Sequence, residues 1–236
     1  MHAKYCRVVV TVPRRVDLSE LFYQVAWQSL PPGAEIHPFD AAAIRRDAAM
    51  LRAFGRNLAT VSGSCEPPGG RAASRKTECS LSAGQTVEVF RDGGPRAITA
   101  IRFTGRSKAD LQGLWVEGIW DGVSQMRVPL HMLAGVSSAM EDTQSFPATV
   151  AGRQVMLRWF MPFAAEGRLL CTNAATRAYD VTAEVWTEPI GALQYPLRFH
   201  ANFLTHRGIQ TDGNTILTLA DVMGSGRFVG CVLGNE

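Results

Sequence analysis

Residues 21–27 alternate Leu21, Tyr23, Val25 and Trp27 on one side against Phe22, Gln24 and Ala26 on the other, a period of two that predicts a β-strand. The run Cys6-Arg7-Val8-Val9-Val10-Thr11-Val12 reads as an earlier core strand. Pro31-Pro32-Gly33 ends this region, and Asp40 is placed to cap a helix over 41–59. Ile44, Ala48, Leu51, Gly55 and Leu58 form its apolar stripe, with Arg45, Arg46, Arg52 and Arg56 mostly outside it. Those arginines suit either a solvated helix face or an anion site. Residues 62–76 are rich in Gly, Pro, Ser and Arg and read as a mobile linker.

Short strands then follow one another, at 85–90, 97–104, 115–120, 126–129, 154–160, 168–172, 179–186, 197–203, 215–219 and 227–233. Asp92-Gly93-Gly94-Pro95 and Asp212-Gly213-Asn214 supply turns, and Gly224-Ser225-Gly226 reads as another. In one strand Tyr179, Val181, Ala183 and Val185 alternate with Asp180, Thr182 and Glu184, which predicts that the apolar set faces a core. Many short strands with one helix predict an all-β sandwich or barrel. A weak internal echo pairs 7–11 and 22–27 with 168–172 and 181–186, each a strand, a polar loop and a strand ending in Trp.

Composition narrows the function classes. A hydrophobic share of 46% supports a substantial core, while a net charge of +3 with scattered arginines argues against nucleic acid as a partner. No apolar run approaches the ~18 residues of a membrane span. Cys6, Cys65, Cys79, Cys171 and Cys231 are odd in number and contain no C-x-x-C pair, which favours free thiols in a reducing compartment. No secretory pattern precedes the first strand, so the cytoplasm is favoured and the chain reads as beginning inside a domain.

Catalytic signals are sparse. The histidines (His2, His37, His131, His200, His206) show no H-x-H or H-E-x-x-H spacing, so neither a metal nor another cofactor is expected. Nucleophile elbow, phosphate loop and dinucleotide fingerprint are absent. Glycoside cleavage would need two carboxylates across the scissile bond. Glu117, Asp121, Glu141, Asp142, Glu184 and Glu188 lie in the second half, and Glu117 and Asp121, four apart on a strand, would share a face. They suit either that pairing or a solvated strand face. Trp115, Trp120, Trp159 and Trp186 suit either sugar stacking or the core.

An ordered set of runs carries a family likeness. It begins with Gly93-Gly94-Pro95-Arg96-Ala97-Ile98-Thr99-Ala100-Ile101-Arg102-Phe103, Ile119-Trp120-Asp121-Gly122 and Val128-Pro129-Leu130. It continues with Trp159-Phe160-Met161-Pro162-Phe163, Arg198-Phe199-His200-Ala201 and Gly224-Ser225-Gly226-Arg227-Phe228-Val229-Gly230. In this order the chain resembles glycoside hydrolase family 172, which includes difructose dianhydride I synthase/hydrolase and exo-acting D-arabinofuranosidases. Phe22-Tyr23-Gln24-Val25 and Pro32-Gly33-Ala34-Glu35-Ile36 resemble the end of that family's preceding sandwich. One departure follows Leu130, where His131-Met132-Leu133-Ala134-Gly135 replaces the family's acidic residue and paired phenylalanines.

The resemblance implies a jelly-roll-type β-sandwich. Residues 1–39 would be the tail of a first jelly roll, 40–78 a connecting α-helix and flexible linker, and 79–236 an incomplete second jelly roll. It also implies a carbohydrate substrate, trimer-based homo-oligomers, and two catalytic glutamates in Trp-Gly-Glu-Gly-Asp and Gly-Thr-Glu-Asp-Tyr runs. This chain ends at Glu236 without either run, so no catalytic residue is assigned, and the isolated chain is expected to be inactive and to self-associate. Candidate substrate contacts are Trp120, Asp121, Trp159, Met161, Phe163 and His200. The alternative is a non-catalytic carbohydrate-binding or assembly module.

Overall fold

The structure is a computed structural model and describes residues 41–61, 65, 73–191, 197–205, 208 and 226–232. The strands expected at 6–12, 21–27 and 215–219, with the first half of the internal echo, lie outside the described residues. Residues 1–52 and 53–236 form separate compact units. Where one continuous helix was expected there are two, α1 (Ala41–Arg46) and α2 (Ala48–Val61), divided at Asp47, a residue of low helix propensity. Ile44 and Leu51 of the expected stripe are 46% and 47% exposed.

The rest of the described chain is a succession of strands: β1 (Ala73–Leu81), β2 (Thr86–Gly93), β3 (Arg96–Gly105), β4 (Leu114–Trp120), β5 (Val123–Pro129), β6 (Thr143–Gln144), β7 (Ala148–Ala151), β8 (Gln154–Leu157), β9 (Met161–Phe163), β10 (Glu166–Asn173) and β11 (Tyr179–Pro189). Two short helices, α3 (Ala109–Gln112) and α4 (Leu130–Ala134), fill the connections after β3 and β5. The larger sheet has the order β1-β11-β3-β8-β7-β6, with β9 also paired to β3, and the smaller sheet is β2-β10-β4-β5. All named strand pairs are antiparallel.

The connectivity is that of a rolled hairpin. β1 lies beside β11, β2 beside β10, β3 beside β8 and β9, and β4 beside β5, and successive pairs alternate between the sheets. That is the jelly roll, in which two stacked sheets share one core. Alternation supplies the inner surfaces: Leu114, Val116 and Trp120 from β4, Leu169 and Cys171 from β10, and Tyr179, Val181, Ala183 and Val185 from β11 are all buried. Asp180 is exposed opposite that last set, so the predicted register of β11 holds. Each large aliphatic side chain buried this way contributes about 1.5–3 kcal/mol.

Several expectations change. Residues 73–76, read as linker, belong to β1, because β11 pairs with them along Ala73↔Thr187 to Lys76↔Glu184. The sandwich therefore starts ahead of Cys79. The strand expected at 154–160 is split into β8 and β9, with Arg158, Trp159 and Phe160 between them. Residues 197–203 are not a strand; they make one parallel bridge, Met126↔Ala201. Residues 226–232 have no strand pairing among the described residues, and Phe228 there is 79% exposed.

Candidate functional site

The β4–β5 hairpin is closed by Trp120↔Val123, leaving Asp121 and Gly122 as a two-residue loop with φ of 54° and 86°. Two successive positive φ values define a type I′ turn, which suits the right-handed strand twist and favours Asp-Gly or Asn-Gly. The turn carries the Asp121 carboxylate to the loop between β9 and β10. There Asp121 Oδ1 accepts from the backbone N–H groups of Ala164 (3.0 Å), Ala165 (2.6 Å) and Glu166 (3.1 Å). Asp121 Oδ2 accepts from both Nε and Nη2 of Arg198 at 2.7 Å, and the Asp121 N–H donates to the Glu166 carbonyl at 2.8 Å. Partial burial works to raise the carboxyl's pKa, but the Ala165, Ala164 and Glu166 donors and the Arg198 guanidinium outweigh it and hold it at about 2. The β2–β3 turn joins the same end, since Gly94 N donates to the Ala165 carbonyl at 2.7 Å.

Arg198 begins a segment fastened along its length. Trp120 Nε1 donates to the Phe199 carbonyl at 2.8 Å, the Phe199 ring lies 5.6 Å from Trp159, and the Ala201 N–H donates to the Gln125 carbonyl at 3.1 Å. Trp159 Nε1 in turn donates to the Leu133 carbonyl of α4 at 3.2 Å. The Trp120 ring stacks on Phe163 at 6.4 Å beneath this layer. The runs at 93–96, 119–122, 159–163 and 198–201, far apart in sequence, therefore meet at one end of the sandwich.

The candidate residues take different roles there. Trp120, Met161 and Phe163 have no exposed surface, so in this structure they support the site from the core and offer no face to a ligand. Asp121 is committed to four donor groups as a clasp. Trp159 is half-buried against Phe199, and His200 is exposed between two anchored neighbours. Sequence reasoning did not single out Gln125, whose Oε1 is buried without a hydrogen-bond partner on the strand that fastens Ala201. In the sequence Arg198 stands out only as part of a run, because nothing local ties it to Asp121.

The expected sharing of one face by Glu117 and Asp121 does not occur. A bulge at Gly118/Ile119 and the turn after Trp120 break the period, and Glu117 instead accepts from Ser124 Oγ at 2.7 Å. Glu184 pairs with Arg102 at 2.5 Å and Asp142 with Lys108 at 2.7 Å, while Glu141 and Glu188 are exposed. Trp186 lies under Arg102 at 5.2 Å, and Trp115 packs edge-on to Phe203 at 5.5 Å. Among the described residues, Cys65, Cys79, Cys171 and Cys231 are not joined in disulfides, no His, Cys, Asp or Glu cluster suits a metal, and no helix is long and apolar enough to cross a membrane. At this end an exposed imidazole and a half-buried indole remain accessible, whereas Gln125 Oε1 is buried. The clasped Asp121 cannot act as a general acid, because it stays ionised far below neutral pH.

No family model matches this chain, and no curated protein matches it. Among solved structures it is similar to the structure of the infectious bursal disease virus Gx strain, at 13% identity and a TM-score of 0.25. That likeness covers 56% of this chain and 35% of the viral one, so the match spans about a third of that chain's length.

Proposed function

We propose that this jelly roll is a carbohydrate-binding unit of the furanoside-acting type seen in glycoside hydrolase family 172, and that the chain as it stands binds sugar without cleaving it. The observation that carries the reading is the meeting of Trp120, Asp121, Trp159, Arg198 and Phe199 in one connected network beside His200. These residues belong to three of the runs that resemble the family. A jelly-roll end with a fixed backbone suits a ligand recognised by many modest hydrogen bonds and one aromatic face. Binding without turnover follows from the carboxylates at this end, since Asp121 is consumed as a clasp, Asp92 is paired with Arg75 and Arg96, and Glu166 lies 3.8 Å from Arg91.

The test is calorimetric titration of the chain with an α-D-arabinofuranosyl oligosaccharide and with difructose dianhydride I, alongside an aryl α-D-arabinofuranoside assay. Saturable binding that weakens about tenfold in His200→Ala, the loss of one to two hydrogen bonds, supports the reading. Absence of saturable binding to both sugars would sink it. Turnover abolished by Glu117→Gln would replace binding with catalysis at the outer face of the smaller sheet.

A further inference from the structure

β1 forms one border of the larger sheet, and among the described residues it pairs with β11 alone. That ladder runs from Ala73↔Thr187 to Leu81↔Tyr179 without a bulge, so a straight border of nine residues carries a row of backbone groups with no ladder partner among the described residues. Natural sheets blunt such borders with bulges, proline, short strands or repelling charge. The neighbouring border, β2, is blunted. Arg75 Nη1 donates to its Arg91 carbonyl at 2.5 Å, Arg75 Nη2 reaches Asp92 Oδ1 at 3.1 Å, and a bulge at Leu169/Leu170 interrupts its ladder with β10. β1 has neither bulge nor proline, and its charges are of both signs.

Lys76 and Glu78 flank Thr77 and project from the outer face of the sheet, opposite Glu184 and Thr182. Their side chains are 58% and 70% exposed and meet each other at 2.7 Å. The strand Ala-Ser-Arg-Lys-Thr-Glu-Cys-Ser-Leu is therefore self-complementary about Thr77. When a second β1 lies antiparallel across a two-fold axis at Thr77, Lys76 of each copy faces Glu78 of the other, Ser74 faces Ser80, and Ala73 faces Leu81. Moving the axis to a neighbouring residue opposes Lys76 to Lys76 or Glu78 to Glu78. Opposite charges directly across a ladder stabilise it and like charges destabilise it, so the charges select one register.

We propose that β1 is a homodimerisation edge, at which two copies of this chain join their larger sheets antiparallel about Thr77. The occupant is a second copy because one register satisfies both charges of both strands, which an arbitrary foreign strand would not do. An isologous contact of this kind closes as a dimer and leaves no further β1 edge open. The interface is small, so the dimer is weak and depends on concentration.

Sedimentation velocity of the full chain over a range up to about 200 µM tests this, a range set by the weakness expected of a strand-edge contact. The expected result is a monomer–dimer equilibrium. Lys76→Glu and Glu78→Lys should each weaken it about tenfold, because two symmetry-related pairs turn from attraction to repulsion. The combined Lys76→Glu/Glu78→Lys chain is self-complementary again and should recover the wild-type constant to within about threefold on the same pairwise scale. Both positions are exposed, and circular dichroism checks that each variant is folded. Hydrogen exchange should show protection of β1 amides growing with concentration. A wild-type chain monomeric throughout the range would overturn the proposal and leave Lys76 as a guard against edge pairing. So would a trimer, single reversals without effect, or a combined variant that fails to recover.

Discussion

Replacing Asp121 by asparagine removes one charge while keeping side-chain size and the capacity for a positive φ, here 54°. The substitution therefore tests the clasp without disturbing the type I′ turn. The native carboxyl is lowered from 3.8 to about 2, with its side chain 25% exposed, so solvent screening discounts little of the effect. At 1.36 kcal/mol per pKa unit the ionised clasp contributes about 2 kcal/mol. The native pKa lies below the unfolded one, so this stability is fully present above about pH 4 and disappears as the pH falls through about 2. For a chain of this size the loss corresponds to a Tm about 4–8 °C lower at pH 7. Thermal unfolding of wild type and Asp121→Asn across pH 7 to 2 should show a gap that closes on acidification, and taking the difference cancels every other titrating group. Arg198→Met should open a smaller gap, because the backbone donors of Ala164, Ala165 and Glu166 remain. A gap below about 0.5 kcal/mol at pH 7, the range of an ordinary surface change, would refute the reasoning. A gap constant from pH 7 to pH 2 would do the same.

Other substitutions probe the frame. Asn173 is buried, donates to the Leu81 and Arg177 carbonyls at 2.9 and 2.7 Å, and accepts from Ala175 N at 2.9 Å. Asn173→Ala leaves those groups unpaired and should cost about 2–4 kcal/mol, read as a lower urea midpoint at unchanged slope. A Cβ at Gly94 would lie 2.4 Å from the Ala164 carbonyl oxygen, so Gly94→Ala must displace the turn that Asp121 holds. It should cost about 1–3 kcal/mol in thermal unfolding, and a neutral result would mean the loop yields freely. Burial pushes the Cys171 thiol up while Cys231 is exposed, so a thiol reagent should label Cys231 in the native state and Cys171 only on unfolding, as peptide mass mapping would show.

The strands legible in the sequence are those with one wet and one dry face. β11 sets Tyr179, Val181, Ala183 and Val185 against Asp180, Thr182 and Glu184, and its register could be read directly. β1 was hidden because an edge strand is wet on most sides: Arg75, Lys76 and Glu78 look like linker until β11, about a hundred residues later, pairs with them. The split of 154–160 was hidden for a different reason, since continuous apolar character does not reveal where a chain leaves its ladder. At the site, the phase of Trp120 with Leu114 and Val116 already placed it inward, and its aromatic character alone suggested a ligand face. The Asp121–Arg198 pairing joins residues far apart in sequence, and no local pattern encodes it.

The rolled hairpin has a consequence for how this sandwich can sit in a longer polypeptide. Its first and last strands are neighbours, so Ala73 and Thr187 stand side by side where the chain enters and leaves the larger sheet. A unit with adjoining entry and exit can be inserted into a surface loop of another domain, or gain segments at either side, without unthreading its core. That entry and exit lie at the same end as the Asp121-Gly122 turn, because Pro189 pairs with Arg96 and Ile190 N donates to the Pro95 carbonyl. A segment attached there therefore stands beside the network that holds Trp159 and Arg198.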